Sequence, residues 1–97
     1  MPATGAGPQL APSRPNPVRR EAALAFTLPT AGRASLVIYD VAGRRVRMLL
    51  DGESAAGLHE VRWDRAADDG GRVPAGVYFY RLSAGGRDVS RRMVVVD

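Results

Sequence analysis

The chain has 97 residues, enough for one domain with a thin core. Its 14 basic residues are all arginine and stand against 10 acidic ones, with a single histidine, no cysteine and a net charge of +4. This excludes disulfide scaffolds, thiolate zinc sites, iron–sulfur clusters, thiol nucleophiles and chemistry that needs a lysine amine.

The first residues, Met1 to Ser13, are rich in proline, glycine and alanine. They lack the basic start and apolar stretch of a secretory signal peptide. The expectation is a flexible linker over 1–13 and one folded domain over 14–97, the C-terminal module of a longer protein. The 11 glycines and 7 prolines make up about a fifth of the chain, well above the roughly 12% of average proteins, which predicts many turns and short strands. No apolar run approaches the ~20 residues of a membrane-crossing helix, so no transmembrane segment is expected.

From Ala22 the apolar period is two. Leu24, Phe26 and Leu28 alternate with Ala23, Ala25 and Thr27, and Pro29 and Gly32 turn the chain. Ala34, Leu36 and Ile38 follow, stopping at Asp40, and Gly43 closes a turn. Val46, Met48 and Leu50 begin the next run, with turn signals at Asp51-Gly52 and Ala55-Ala56-Gly57. His59, Val61 and Trp63 face one way, and Asp68-Asp69-Gly70-Gly71 is a strong turn. Tyr78, Tyr80 and Leu82 form another run, Gly85-Gly86 a tight hairpin, and Asp88 to Val96 the last strand.

Six strands are clear, and Arg72–Pro74 is a candidate seventh. Turn signals every eight to twelve residues or so suit an antiparallel sandwich. The predicted fold is therefore an all-β antiparallel sandwich of about seven strands. Its expected core is Leu24, Phe26, Leu28, Leu36, Ile38, Val46, Met48, Val61, Trp63, Tyr78, Tyr80, Leu82, Met93 and Val95, with Trp63 between the sheets.

Four stretches carry a more specific pattern: Arg14-Pro15-Asn16-Pro17, Ile38 to Val46 around Asp40 and Gly43, Gly57 to Asp64 around Trp63, and Gly76 to Leu82 around Tyr78. Proline pins φ, so Pro15-Asn16-Pro17 suggests an extended lead-in. The Asp40 carboxylate suits turn N–H groups, and Gly76 suits a place where a side chain would clash. In order and spacing the four resemble the C-terminal sorting domain of type IX secretion substrates, and equally the immunoglobulin-like module of flagellar hook-capping proteins of the FlgD type. The resemblance covers Ser13 to Asp97. The tail Arg91-Arg92-Met93-Val94-Val95-Val96 looks like the basic-then-apolar end of the sorting family, with arginine where lysine is common. Arg65 stands where glycine is usual, which bears on the geometry of its turn.

The resemblance implies an immunoglobulin-like antiparallel β-sandwich and a non-enzymatic module that targets a covalently linked N-terminal cargo to the outer-membrane secretion machinery, with delivery through the periplasm to the surface or medium. In many such substrates the module is then removed while the cargo is joined to lipopolysaccharide, and the arginines here also suit that anionic partner. The alternative is a structural assembly domain like the hook-cap module. No cofactor is implied.

Sharper chemistry is weighed against plainer readings. Ser54, His59 and Asp64 invite a hydrolase triad, but alternation puts His59 on the Trp63 face and no nucleophile-elbow glycines are present. A partly buried structural histidine is the reading taken, and no catalytic residue is expected. Asp64, Asp68 and Asp69 beside Gly70-Gly71 form an oxygen-rich loop of the kind calcium uses, yet the spacing is not an EF-hand and aspartates commonly form turns. No metal site is expected. Arginine clusters invite nucleic acid, but the aromatics alternate into the core instead of lying between arginines, so none is expected. The last strand is the candidate edge for pairing with a partner.

Overall fold

The computed structural model describes residues 7–97. Seven strands are present among the described residues: β1 Gln9–Leu10, β2 Ala22–Leu28, β3 Gly32–Asp40, β4 Arg45–Ser54, β5 Gly57–Trp63, β6 Gly76–Ala84 and β7 Arg87–Val95. They form two antiparallel sheets, β1-β2-β5 and β4-β3-β6-β7. This is the all-β sandwich that the alternation predicts, in the immunoglobulin-like form that the resemblance implies.

The two inner faces make the core. Leu24, Phe26 and Leu28 of β2 and Trp63 of β5 meet Leu36 and Ile38 of β3, Tyr78, Tyr80 and Leu82 of β6, and Met93 and Val95 of β7, all of them buried. Trp63 packs edge-on to Tyr78 across the two sheets, with ring centroids 5.9 Å apart. Its indole N–H donates to the carbonyl of Ala66 at 2.8 Å, so the largest core side chain leaves no polar atom unpaired.

Four expectations need correction. The linker reading fails for its second half: Gln9–Leu10 pair with Phe26 and Thr27, and Leu10 and Ser13 are buried. The Pro/Gly-rich composition hid a two-residue strand, while 1–6 lie outside the described residues. The candidate strand at Arg72–Pro74 is only an isolated bridge between Ala66 and Arg72. The Asp51-Gly52 turn does not form, because β4 runs through it to pair with the start of β3, and Arg33 reaches Asp51 across the strands at 2.7 Å. Finally, Met48 is outside the core. Bulges opposite Leu36/Val37 and Ile38/Tyr39 break the strict period of two in β4. Met48 then lies beside Val37 on the outer face, while Val46, Leu49 and Leu50 pack on the core.

Candidate functional site

Two of the stretches singled out by the sequence, Pro15-Asn16-Pro17 and the end of the last strand, meet at one end of the sandwich. Residues 15–17 make a bend instead of the extended run expected, with both X–Pro peptide bonds cis. The bend turns the Asn16 side chain onto β7, where its Oδ1 accepts the N–H of Val94 at 3.1 Å. Val18 follows as a parallel partner of Val95: its N–H donates to the Val94 carbonyl at 2.7 Å, and its carbonyl accepts the Val96 N–H at 2.8 Å. Lead-in and tail are thus stitched by three hydrogen bonds, with Val18 and Val95 buried beneath them.

This alters the edge reading. β7 borders its sheet, but the outward backbone groups of Val94 and Val96 are already occupied by Asn16 and Val18. Only the Arg87–Arg92 stretch lacks a flanking strand among the described residues. At Arg91 the guanidinium crosses to the other sheet and donates to the carbonyl of Leu10. Tyr80 makes a similar crossing, its hydroxyl donating to the carbonyl of Ala11 at 2.8 Å.

Beneath the stitch sits a residue whose role sequence reasoning missed. Arg65 is 1% exposed and has φ of +69°, a left-handed conformation uncommon for non-glycine residues. Its guanidinium donates to the carbonyls of Val73 (3.1 Å), Arg19 (2.8 Å) and Val96 (3.2 Å) and to the Asp97 carboxylate (2.5 Å). The family departure at this position was the available signal. A glycine would fit the backbone there, whereas arginine keeps the left-handed turn and adds four bonds.

The Asp40 turn matches its sequence reading. The Asp40 carboxylate accepts the N–H groups of Ala42 (2.9 Å) and Arg44 (3.0 Å), and Gly43 has φ of +82°. The N–H donated by Arg44 holds the Asp40 carboxyl below its ordinary 3.8, with the Arg44 guanidinium adding to the effect. Gly76 does not match. A Cβ there would meet only the Tyr78 ring at 3.9 Å, an ordinary contact, so what favours glycine is not a clash but its φ of +158°. Tyr78 donates its hydroxyl to the Pro74 carbonyl at 2.7 Å, and burial pushes its pKa up, as it does for Tyr80.

The candidate chemical groups are tied to local backbone. Ser54 donates to the Gly52 carbonyl, and His59 bonds the Ala55 carbonyl at 2.7 Å while stacking on Phe26 at 5.1 Å. The structure does not join Ser54, His59 and Asp64 by hydrogen bonds. Nor does it gather the calcium candidates. Asp64 accepts the Ala66 N–H, Asp69 the Gly71 N–H, and Asp68 binds the Met48 N–H and the Arg45 guanidinium. Among the described residues, no group of three or more histidines or carboxylates could hold a metal.

The model of the FlgD Ig-like domain family matches residues 18–88. The chain belongs to the FlgD Ig-like family. Among solved structures it resembles latent dimeric PorU from Porphyromonas gingivalis, with 26% identity and a TM-score of 0.74 over 92% of this chain and 9% of that one. PorZ, a surface component of the type IX secretion system of the same organism, aligns over 98% of this chain and 13% of its own, with 23% identity and a TM-score of 0.56. FlgD of Xanthomonas campestris, described as a hook-capping protein, aligns with 24% identity and a TM-score of 0.64 over 92% and 67% of the two chains. The PorZ and FlgD likenesses establish the fold, and this chain spans only about a tenth of PorU and PorZ. No curated protein matches the sequence.

Proposed function

We propose that this chain is a non-enzymatic sorting module that targets an attached N-terminal cargo for type IX export and surface anchoring. The observation that carries the reading is the docking of Pro15-Asn16-Pro17 on Val94–Val96. Two of the motifs shared with sorting domains, far apart in sequence, form a single structural unit at one end of the sandwich. The chain enters at the other end, where Gly7 and Pro8 lie beside Leu28, Gly85 and Arg87, so an attached cargo would leave the Val94–Val96 tail clear for recognition. The likeness to a domain of PorU supports the same reading. On this view the partners are the outer-membrane secretion machinery and the linked cargo, with anionic lipopolysaccharide as a further contact for the arginines. The module travels through the periplasm to the surface or medium.

Family membership favours a second reading, a structural domain that packs against neighbouring subunits as in hook capping. A pair of domain exchanges separates the two. Residues 7–97 replace the sorting domain of a type IX substrate in one strain, and the Ig-like domain of FlgD in another. Surface arrival of the first chimera with no restored swimming by the second supports sorting. Restored swimming, with the first chimera folded but held in the periplasm, supports assembly and overturns the proposal.

A further inference from the structure

The outer faces of the two sheets differ in charge and in apolar content. On the three-stranded sheet, Arg14 pairs with Glu60 at 3.3 Å, and Arg62 with Glu21 at 2.8 Å and Glu60 at 4.0 Å. Two arginines balance two glutamates, so that face is neutral. The four-stranded sheet places Val37 beside Met48 and Arg81, Tyr39 beside Phe79, Phe79 beside Arg92, and Val77 beside Val94. Phe79 is 38% exposed and Val41, at the end of the same face, 71%. Between them lies a shallow hollow of about 270 Å³, lined also by Tyr39, Asp40, Gly43, Arg81 and Ser90, with the Asp40 carboxylate already paired to Arg44 at 3.1 Å.

Cations crown this apolar row. The Arg81 guanidinium lies 4.7 Å over the Tyr39 ring and reaches Asp88 only at 3.8 Å. Arg92 has no carboxylate within ion-pairing distance among the described residues. Aromatic residues and arginine are the side chains enriched at the energetic centres of protein interfaces. An uncompensated cation beside an exposed aromatic calls for an opposite charge beside an apolar group. A second copy of this chain would bring the same cations together and is disfavoured.

We propose that the outer face of the four-stranded sheet, centred on Phe79 and Arg92, docks a segment of a partner polypeptide that combines acidic and apolar side chains. This inference does not rest on the export reading, since either a translocon component or an assembly partner could supply the segment.

The test uses the isotope-labelled full chain. It is titrated with a short capped peptide alternating leucine and glutamate, and with its leucine–glutamine counterpart. Amide shifts are expected to cluster at Tyr39, Val41, Phe79, Arg81 and Arg92, with the glutamine peptide bound at least about tenfold more weakly. Phe79→Ser and Arg92→Ser should each weaken binding by about tenfold with the remaining spectrum unchanged, and Leu58→Ser on the other sheet by less than about twofold. Equal affinity for both peptides, no binding, or shifts centred on Leu58 would overturn the proposal. So would tighter occupation of the same residues by phosphatidylserine vesicles or by a single-stranded oligonucleotide.

Discussion

Arg65 and Asp97 stand 2.5 Å apart, yet the Arg65 side chain is 1% exposed and the Asp97 side chain 77%. The pair is therefore lopsided: a buried cation meets a carboxylate that solvent already satisfies. The main work of Arg65 is to satisfy the carbonyls of Arg19, Val73 and Val96, which belong to the lead-in, a loop and the tail. Arg65→Ala strips its donors from these carbonyls, leaving Arg19 only a long 3.5 Å bond from Arg72, and opens a cavity, so it should cost about 3 kcal/mol or more. Asp97→Asn should cost no more than about 1 kcal/mol, because one partner of the pair is in water. Urea unfolding of the two variants checks the ratio, and comparable losses would mean that the ion pair dominates.

Asn16 acts on the tail from the other side. Asn16→Ala should destabilise the domain by about 1 kcal/mol and speed hydrogen exchange at the Val94 amide, while Asn16→Asp retains an acceptor and should protect it. Unchanged Val94 exchange in Asn16→Ala would show that Val18 alone holds the tail.

The Asp40 turn should carry a pH signature. Its folded carboxyl is lowered relative to the ordinary 3.8 by the Arg44 N–H first, which outweighs an opposing desolvation together with the Arg44 charge and the Ala42 N–H. A depressed acid contributes stability that is complete above the unfolded value and is lost as pH falls through the folded one. The difference in stability between the wild type and Asp40→Asn should therefore be constant near neutral pH and shrink below about pH 4. A difference that does not vary with pH would assign the effect to turn geometry instead of charge.

The bulges in β4 separate neighbours that simple alternation would sort the other way. Met48 lies on the outer face and Leu49 against the core. Met48→Gln should shift stability by less than about 0.5 kcal/mol, and Leu49→Ala by about 1–2 kcal/mol. Thermal melts of both variants decide the register, and the reverse order would restore the strict period of two.

Most of the sandwich was legible because one face of each strand is buried, and a period of two writes that directly into the sequence. Leu24, Phe26, Leu36, Ile38, Tyr80 and Met93 are buried as the alternation requires. Three features were not legible. Each bulge in β4 adds one residue with no turn signal beside it. Leu10 sits in a Pro/Gly-rich tract whose two-residue strand is too short for any period to show. Arg65 looks like a solvated turn residue until the carbonyls it serves, 46 and 31 residues away, are brought beside it. The motif residues at 15–17 and 93–96 were visible as separate signals, but their mutual docking is a tertiary fact.

That docking also changes how the sorting role should be tested. Deleting Met93–Asp97 removes Met93 and Val95 from the core, so a failure to export would be confounded by unfolding. The most direct measurement keeps the module intact. Residues 7–97 are fused behind a periplasm-targeted fluorescent reporter in a type IX-competent bacterium and in a translocon-null strain. The account predicts reporter at the surface or in the medium of the first strain and in the periplasm of the second. A folded, uncleaved fusion held in the periplasm of both strains would contradict it.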